Sequence, residues 1–226
     1  MLFRHMSYGA TVAAPPATIT LGVRTAYHPN LLQSTHTFSM TLGATVNYLL
    51  VKVMAITGAS FSEVRWGGAG GTLMTLVVSA VQTTSRCSIY QLINPAPGTA
   101  DVYVLIGGTA RLVAEGVGLI GVATNGSPPV PVADTLSLAT AGATSLSGSL
   151  DPGGIGNNWL EACLAKAGDV EAMTVTGGST EVLDVDGGNL RAGCATRSAI
   201  DTTVTTGFSW ANSREAAMTA ALLIPG

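Results

Sequence analysis

Charge is scarce in this chain. Charged residues make up 10% of its 226 positions, where an ordinary soluble domain carries roughly a quarter. A disordered chain combines high charge with low hydrophobicity, and this one does the opposite at 47% hydrophobic and a mean hydropathy of +0.43. A folded protein with so few ions lacks the polar cover of a free monomer, which predicts that much of its surface is covered by a partner. Lysine occurs only at Lys52 and Lys166 and the net charge is −3. No basic face is available to neutralise phosphates, so nucleic acid is not an expected partner. Cys87, Cys163 and Cys194 are odd in number and contain no Cys-x-x-Cys pair. This removes a complete intrachain disulfide framework and a cysteine zinc site, and reads most simply as three small core residues in a reducing compartment. Whether they cross-link subunits stays open. Arg4 and His5 are not followed by an apolar stretch of signal-peptide length, and residues 66–85 are too broken by glycine and polar side chains to span a membrane. Neither secretion by a cleaved leader nor a membrane partner is expected.

What the chain does have is short β-like runs separated by glycine, proline, asparagine and serine. Residues 1–34 stand apart, because Pro15-Pro16, His28-Pro29, Gly9 and Gly22 recur there without a sustained period. They read as an extended arm, with a flexible terminus as the alternative. From Thr35 onward the spacing of turns predicts one antiparallel β-sandwich domain over residues 35–226, with 10 to 13 strands. THTFSMTL (35–42) puts Thr35, Thr37, Ser39 and Thr41 on one face and His36, Phe38, Met40 and Leu42 on the other, the period of a half-buried strand. VNYLLVKVMAI (46–56) is apolar on both faces except at Lys52, as in a central strand. Residues 60–66 and 72–78 read as one hairpin across a glycine-rich turn, and 85–93 with 100–107 as a second. Gly116, Gly118 and Gly121 in 110–122 predict a bulge or a close backbone approach in a curved strand. Residues 135–150 fit one or two edge strands or a repetitive loop. Residues 158–166 read as strand, although a short helix fits nearly as well, and the alanine-rich 215–225 reads as a closing strand.

Catalytic constellations are missing. The histidines are His5, His28 and His36, no Gly-x-Ser-x-Gly elbow occurs, and Glu63, Glu115, Glu161 and Glu171 read as hydrogen-bonded or edge-facing strand carboxylates. No enzyme, cofactor or metal site is expected. Asp184, Asp186 and Asn189 have the spacing of the start of a calcium loop but lack its third acidic position and distal glutamate, so a hairpin turn at Asp186-Gly187 explains them better. Trp66, Trp159 and Trp210 lie at or near strand ends, where core or interface filling outweighs stacking on a sugar.

Trp66-Gly67-Gly68, the run from Tyr90 through Asn94-Pro95-Ala96-Pro97-Gly98-Thr99, the glycine-rich 116–122 and the terminal FSW…EAAMTAALLIP occur in a suggestive order. Over residues 35–226 this order resembles a β-sandwich module, jelly-roll-like, of bacteriophage structural proteins and bacterial surface proteins. The resemblance implies no catalytic residues. With no leader and a surface made to be covered, the phage branch is expected: a virion structural protein of the head decoration or cement type, made in the host cytoplasm. It implies the major capsid protein or other virion proteins as partners, and a homo-oligomer such as a trimer. Phe3, Tyr8, Tyr27, Leu31 and Leu32 in the arm are the candidate contacts. A tail or surface module that binds carbohydrate or a receptor is the alternative.

Overall fold

The computed structural model describes residues 18–56, 60–124, 131–168 and 171–226. Among these the regular elements are all strands: β1 (Thr20–Tyr27), β2 (Gln33–Leu42), β3 (Tyr48–Ile56), β4 (Phe61–Trp66), β5 (Thr72–Leu73), β6 (Thr75–Gln82), β7 (Ser85–Ile93), β8 (Gly98–Ile120), β9 (Val132–Leu150), β10 (Asn158–Ala167), β11 (Thr174–Thr176), β12 (Thr180–Asp186), β13 (Leu190–Ile200) and β14 (Val204–Leu223). All pairings are antiparallel, in one eight-stranded and one six-stranded sheet, and the protein is an all-β sandwich.

Two long strands organise it. β8 runs for 23 residues and changes partners along its length. Its first part pairs with β2 and β4, as in Phe38 opposite Val102 and Val64 opposite Val104. Past Gly107-Gly108 it pairs with β3 and β1, placing Lys52 opposite Glu115 and Arg24 opposite Val117. The eight-stranded sheet therefore folds over itself and encloses a core that includes Phe38, Met40, Val51, Val53, Val64 and Val104. β14 does the same in the second half. Its start pairs with β11 and the end of β9, and its finish pairs with β10 and the start of β9. The enclosed core includes Leu160, Leu164, Phe208, Met218 and Leu222.

The two halves share one pairing scheme. β10, β11, β12, β13 and β14 take the places of β3, β4, β6, β7 and β8, while the single strand β9 fills the places of both β1 and β2. A third core lies between the halves, where Leu50, Met54, Ile89 and Val113 meet Cys163, Ala192, Cys194 and Ala217. β3 and β10 each face two cores, which is why both sequences are apolar on both sides.

Several expectations change in detail. Thr20–Tyr27, inside the segment read as an arm, is a strand paired with β8. A register shift between Leu21 and Val23 breaks its alternation, which is why no period of two was visible. The hairpin expected between residues 85–93 and 100–107 does not form, because the doubly apolar β3 lies between β7 and β8. The 60–78 hairpin is limited to the two pairs of β4 with β5, after which β6 crosses to β7. The two runs over 100–122 are one strand, as are those over 201–225. The alternation of β2 holds throughout, with His36, Phe38, Met40 and Leu42 buried and the threonines and Ser39 exposed.

The close approach expected near Gly116 is real. A β-carbon there would lie 2.7 Å from the Met40 sulfur. Gly116→Val should destabilise the fold by about 1–3 kcal/mol through overpacking, read as a lower urea midpoint. Gly43→Ala, whose β-carbon meets nothing within 4 Å, should leave that midpoint nearly unchanged.

Candidate functional site

The central core holds the feature that sequence reading did not assemble. Lys52, Glu115 and Glu161 project from β3, β8 and β10 into the space between the halves, and each is at most 1% exposed. Arg24 reaches them from β1. The Lys52 ammonium donates to Glu115 Oε2 at 2.5 Å and to Glu161 Oε2 at 2.6 Å. The Arg24 guanidinium bridges the same carboxylates, at 2.7 Å to Glu115 Oε2 and 2.7 Å to Glu161 Oε1. The Trp159 indole N–H and the Thr196 hydroxyl complete the set on Glu161 Oε1, at 2.8 and 3.1 Å. Two cations and two anions thus cancel in a core where Arg24 alone keeps partial exposure. Glu115 Oε1 is buried without a hydrogen-bond partner among the described residues.

The electrostatics follow from this arrangement. Burial opposes charge on Lys52, but the fields of Glu115 and Glu161 outweigh it and hold the ammonium's pKa above its ordinary value. Burial likewise opposes charge on Glu161, and Lys52 and Arg24 outweigh it, so its pKa lies below the ordinary value. Arg24 is raised in the same way, its burial being overcome by Glu161 and Glu115. A second polar link joins the halves outside the central core. Glu215 of β14 accepts from the backbone N–H groups of Thr84 and Ser85 at 2.7 and 2.6 Å and from the Thr84 hydroxyl at 2.9 Å. Desolvation opposes its charge, but these donors hold its pKa below the usual range.

Chemically the cluster is sealed. Two carboxylates on one ammonium have the composition of an acid–base pair, yet no cleft opens on them among the described residues. His36 is buried in the first half with Nε2 3.2 Å from the Ala110 carbonyl, and burial lowers its pKa. Glu63 pairs with Arg65, two residues along the same strand, at 2.7 Å. Glu171 lies 3.7 Å from the buried Lys166. Asp184 takes a bidentate contact from Arg191 at 2.6 and 2.8 Å, while Asp186 accepts from the Gly188 N–H within the turn to β13. Among the described residues no group of three potential ligands could hold a metal ion. The three indoles are buried, and their N–H groups are used by the Ala96 carbonyl, Glu161 and the Ala143 carbonyl.

The outer surface is the other candidate. The exposed charged side chains among the described residues are Asp101, Asp151, Glu181, Asp186, Arg197 and Asp201. Elsewhere the surface is hydroxyl-rich, with Thr35, Thr37, Ser39 and Thr41 on β2 and Ser145, Ser147 and Ser149 on β9. Thr41 pairs with Thr99 at 2.8 Å and Ser149 with Thr205 at 2.9 Å, at corresponding places in the two halves. Of the expected contact residues, Leu31 and Leu32 are exposed at 49% and 65%. Tyr27 is used within the chain, stacked on Phe38 with ring centroids 5.2 Å apart. Phe3 and Tyr8 lie outside the described residues. The signal for the ion cluster was present in the sequence: an ionisable residue in a strand apolar on both faces has to find its countercharge in the core.

No protein-family profile matches the chain, and no curated protein is similar to it at a significant level. Among solved structures, a protein from Eubacterium rectale aligns over 90% of this chain and 74% of its own, at 12% identity and a TM-score of 0.29. The PBSX exported protein XepA aligns over 91% of this chain and 86% of its own, at 10% identity and a TM-score of 0.17.

Lys52→Met leaves two buried carboxylates facing Arg24 alone and should cost about 3–5 kcal/mol. Adding Glu115→Leu, which restores neutrality, should recover part of that loss in the same urea titration. The pH dependence has two limbs. Glu161 has a folded pKa below its unfolded one, so its contribution is complete above about pH 5 and is lost as pH falls through the folded value. Lys52 has a raised folded pKa, so its contribution is complete below about pH 10 and is lost as pH rises through that higher value. Urea midpoints measured from pH 3 to 11 should show a plateau with both shoulders, and Lys52→Met should soften the alkaline one without removing it, because the buried Cys163 and Cys194 thiols and the Tyr48 phenol, all raised above their ordinary pKa by burial, also lose stability as pH rises.

Proposed function

We propose that this chain is a structural protein of a virus particle, a decoration protein that binds the outside of a bacteriophage head and stabilises the shell. The observation that carries this reading is the outer surface. Little charge was available, and part of it is spent inside: Lys52, Glu115, Glu161 and Lys166 are buried, and Arg24 serves the interior. Apart from six exposed charged side chains, what faces outward among the described residues is largely hydroxyl and aliphatic, with Leu21, Leu31, Leu32, Leu73, Leu76 and Val81 exposed. Such a surface can be covered by another protein with few ions stranded. The major capsid protein, or other virion proteins, and further copies of this chain are the partners this reading calls for, in a symmetric oligomer such as a trimer. The work done is mechanical. Buried contact area across neighbouring shell subunits raises the barrier to rupture, as any partner that binds only the assembled state stabilises it.

The carbohydrate-binding alternative draws less support. Its natural platforms, the three tryptophans, are buried with their indole N–H groups already bonded.

The test is location. In density-gradient-purified phage particles from the host that carries this coding sequence, cryo-electron microscopy should find the chain in repeated copies on the icosahedral shell. Absence from the particles overturns the reading, and density confined to a tail tip moves it to receptor or glycan binding. A variant lacking residues 1–17 and carrying Leu31→Ser and Leu32→Ser keeps β1 and Arg24, and should fold yet bind undecorated shells at least about tenfold more weakly.

A further inference from the structure

The central core contains a second convergence, of sulfur. Cys87 of β7 and Cys163 of β10 belong to different halves and are both fully buried, and their sulfur atoms lie 2.8 Å apart. Thr219 Oγ1 contacts both, at 3.2 and 3.3 Å, and Cys87 Sγ lies 3.2 Å from the Cys163 carbonyl oxygen. Ala80, Ala165, Ala192 and Ala217 are buried in the same core. Small side chains of this kind let facing sheets approach closer than the usual ~10 Å spacing, and that approach is what a disulfide bridge needs. The third cysteine is placed differently. Cys194 is the cross-strand neighbour of Cys163, but its sulfur is directed to the Met54 thioether at 3.8 Å.

We propose that Cys87 and Cys163 are a disulfide site that staples the two halves of the protein together, with Cys194 remaining a thiol. Closing the bond shortens a sulfur separation of 2.8 Å to about 2.05 Å. The oxidant is a small-molecule disulfide of the glutathione class. One cysteine thiolate attacks it and releases one small thiol. The second cysteine then displaces the other small thiol from the mixed disulfide, so that two protein thiols are oxidised while one small disulfide is reduced to two thiols. Burial sets the timing. With no solvent path to either sulfur, and with burial pushing the Cys163 thiol well above its ordinary pKa, exchange belongs to folding, before the two inner sheets close on each other.

The test uses the full chain, reduced, unfolded in denaturant and refolded with a mixture of oxidised and reduced glutathione. Alkylation after denaturation should label one cysteine of three, the unalkylated mass should fall by about 2 Da for the two hydrogens lost, and digestion without reductant should yield a peptide joining Cys87 to Cys163. The same bond should form in Cys194→Ala, and the oxidised protein should have a higher urea midpoint than its reduced form. The already folded, reduced protein should acquire the bond at least about tenfold more slowly, because exchange needs an exposed thiolate. Three alkylated cysteines after oxidative refolding overturn the proposal, as does a linked peptide that pairs Cys194 with either partner. The measurement is made on the wild-type chain, so it does not depend on a Cys87 or Cys163 variant folding.

Discussion

Four charges gathered between two apolar sheets, three of them held out of water, are the constraint on which the rest of this structure depends. Lys52, Glu115 and Glu161 have no route to solvent, and each is stable as an ion only because the others and Arg24 stand within hydrogen-bond distance. The partners come from both halves: β1, β3 and β8 bring three of the charges, and β10 brings the fourth. Separating the halves, or sliding one by a residue, would leave uncompensated ions in a low-dielectric core, which costs far more than losing an equal area of apolar contact. The cluster therefore sets how the halves meet, while the apolar residues around it supply most of the gain from their meeting.

The shared strand plan explains how one chain builds such an interface. In each half a long strand bends across two layers and leaves a five-stranded face to be covered, formed in the second half by β12, β13, β10, the end of β14 and the start of β9. Each half covers that face with the other. The positions that carry Lys52 and Glu115 in the first half carry Cys163 and Thr219 in the second, at matching points of the β3–β8 and β10–β14 pairings. The first half thus contributes charge where the second contributes small side chains, and the sheets close tightly beside the ion cluster. The cysteine contact is a product of that same closeness.

The consequence reaches the outer surface. Charge placed in the interior is charge withdrawn from solvent, and the outside is left with threonine, serine, scattered leucine and six exposed charged side chains among the described residues. A surface of that composition suits permanent contact with other proteins better than an independent life in water. The proposed place on a viral shell rests on this property.

Much of this was legible in the residues themselves. The all-β class, the alternation of β2, the doubly buried β3 and the turn at Asp186-Gly187 follow from periodicity and turn chemistry, which act over a few neighbouring residues. The close approach at Gly116 was legible for the same reason, since only glycine leaves room for Met40. What lay beyond sequence reading was everything that depends on distant partners. Arg24 looked like part of an arm, because the register shift in β1 hid its alternation. Glu115 and Glu161 looked like separate strand carboxylates, and the three cysteines looked like unrelated core residues. Their meeting depends on which strands pair and which faces stack. Local propensity does not encode that choice; it is made by the tertiary requirement that every buried charge find its opposite and every apolar face find a cover.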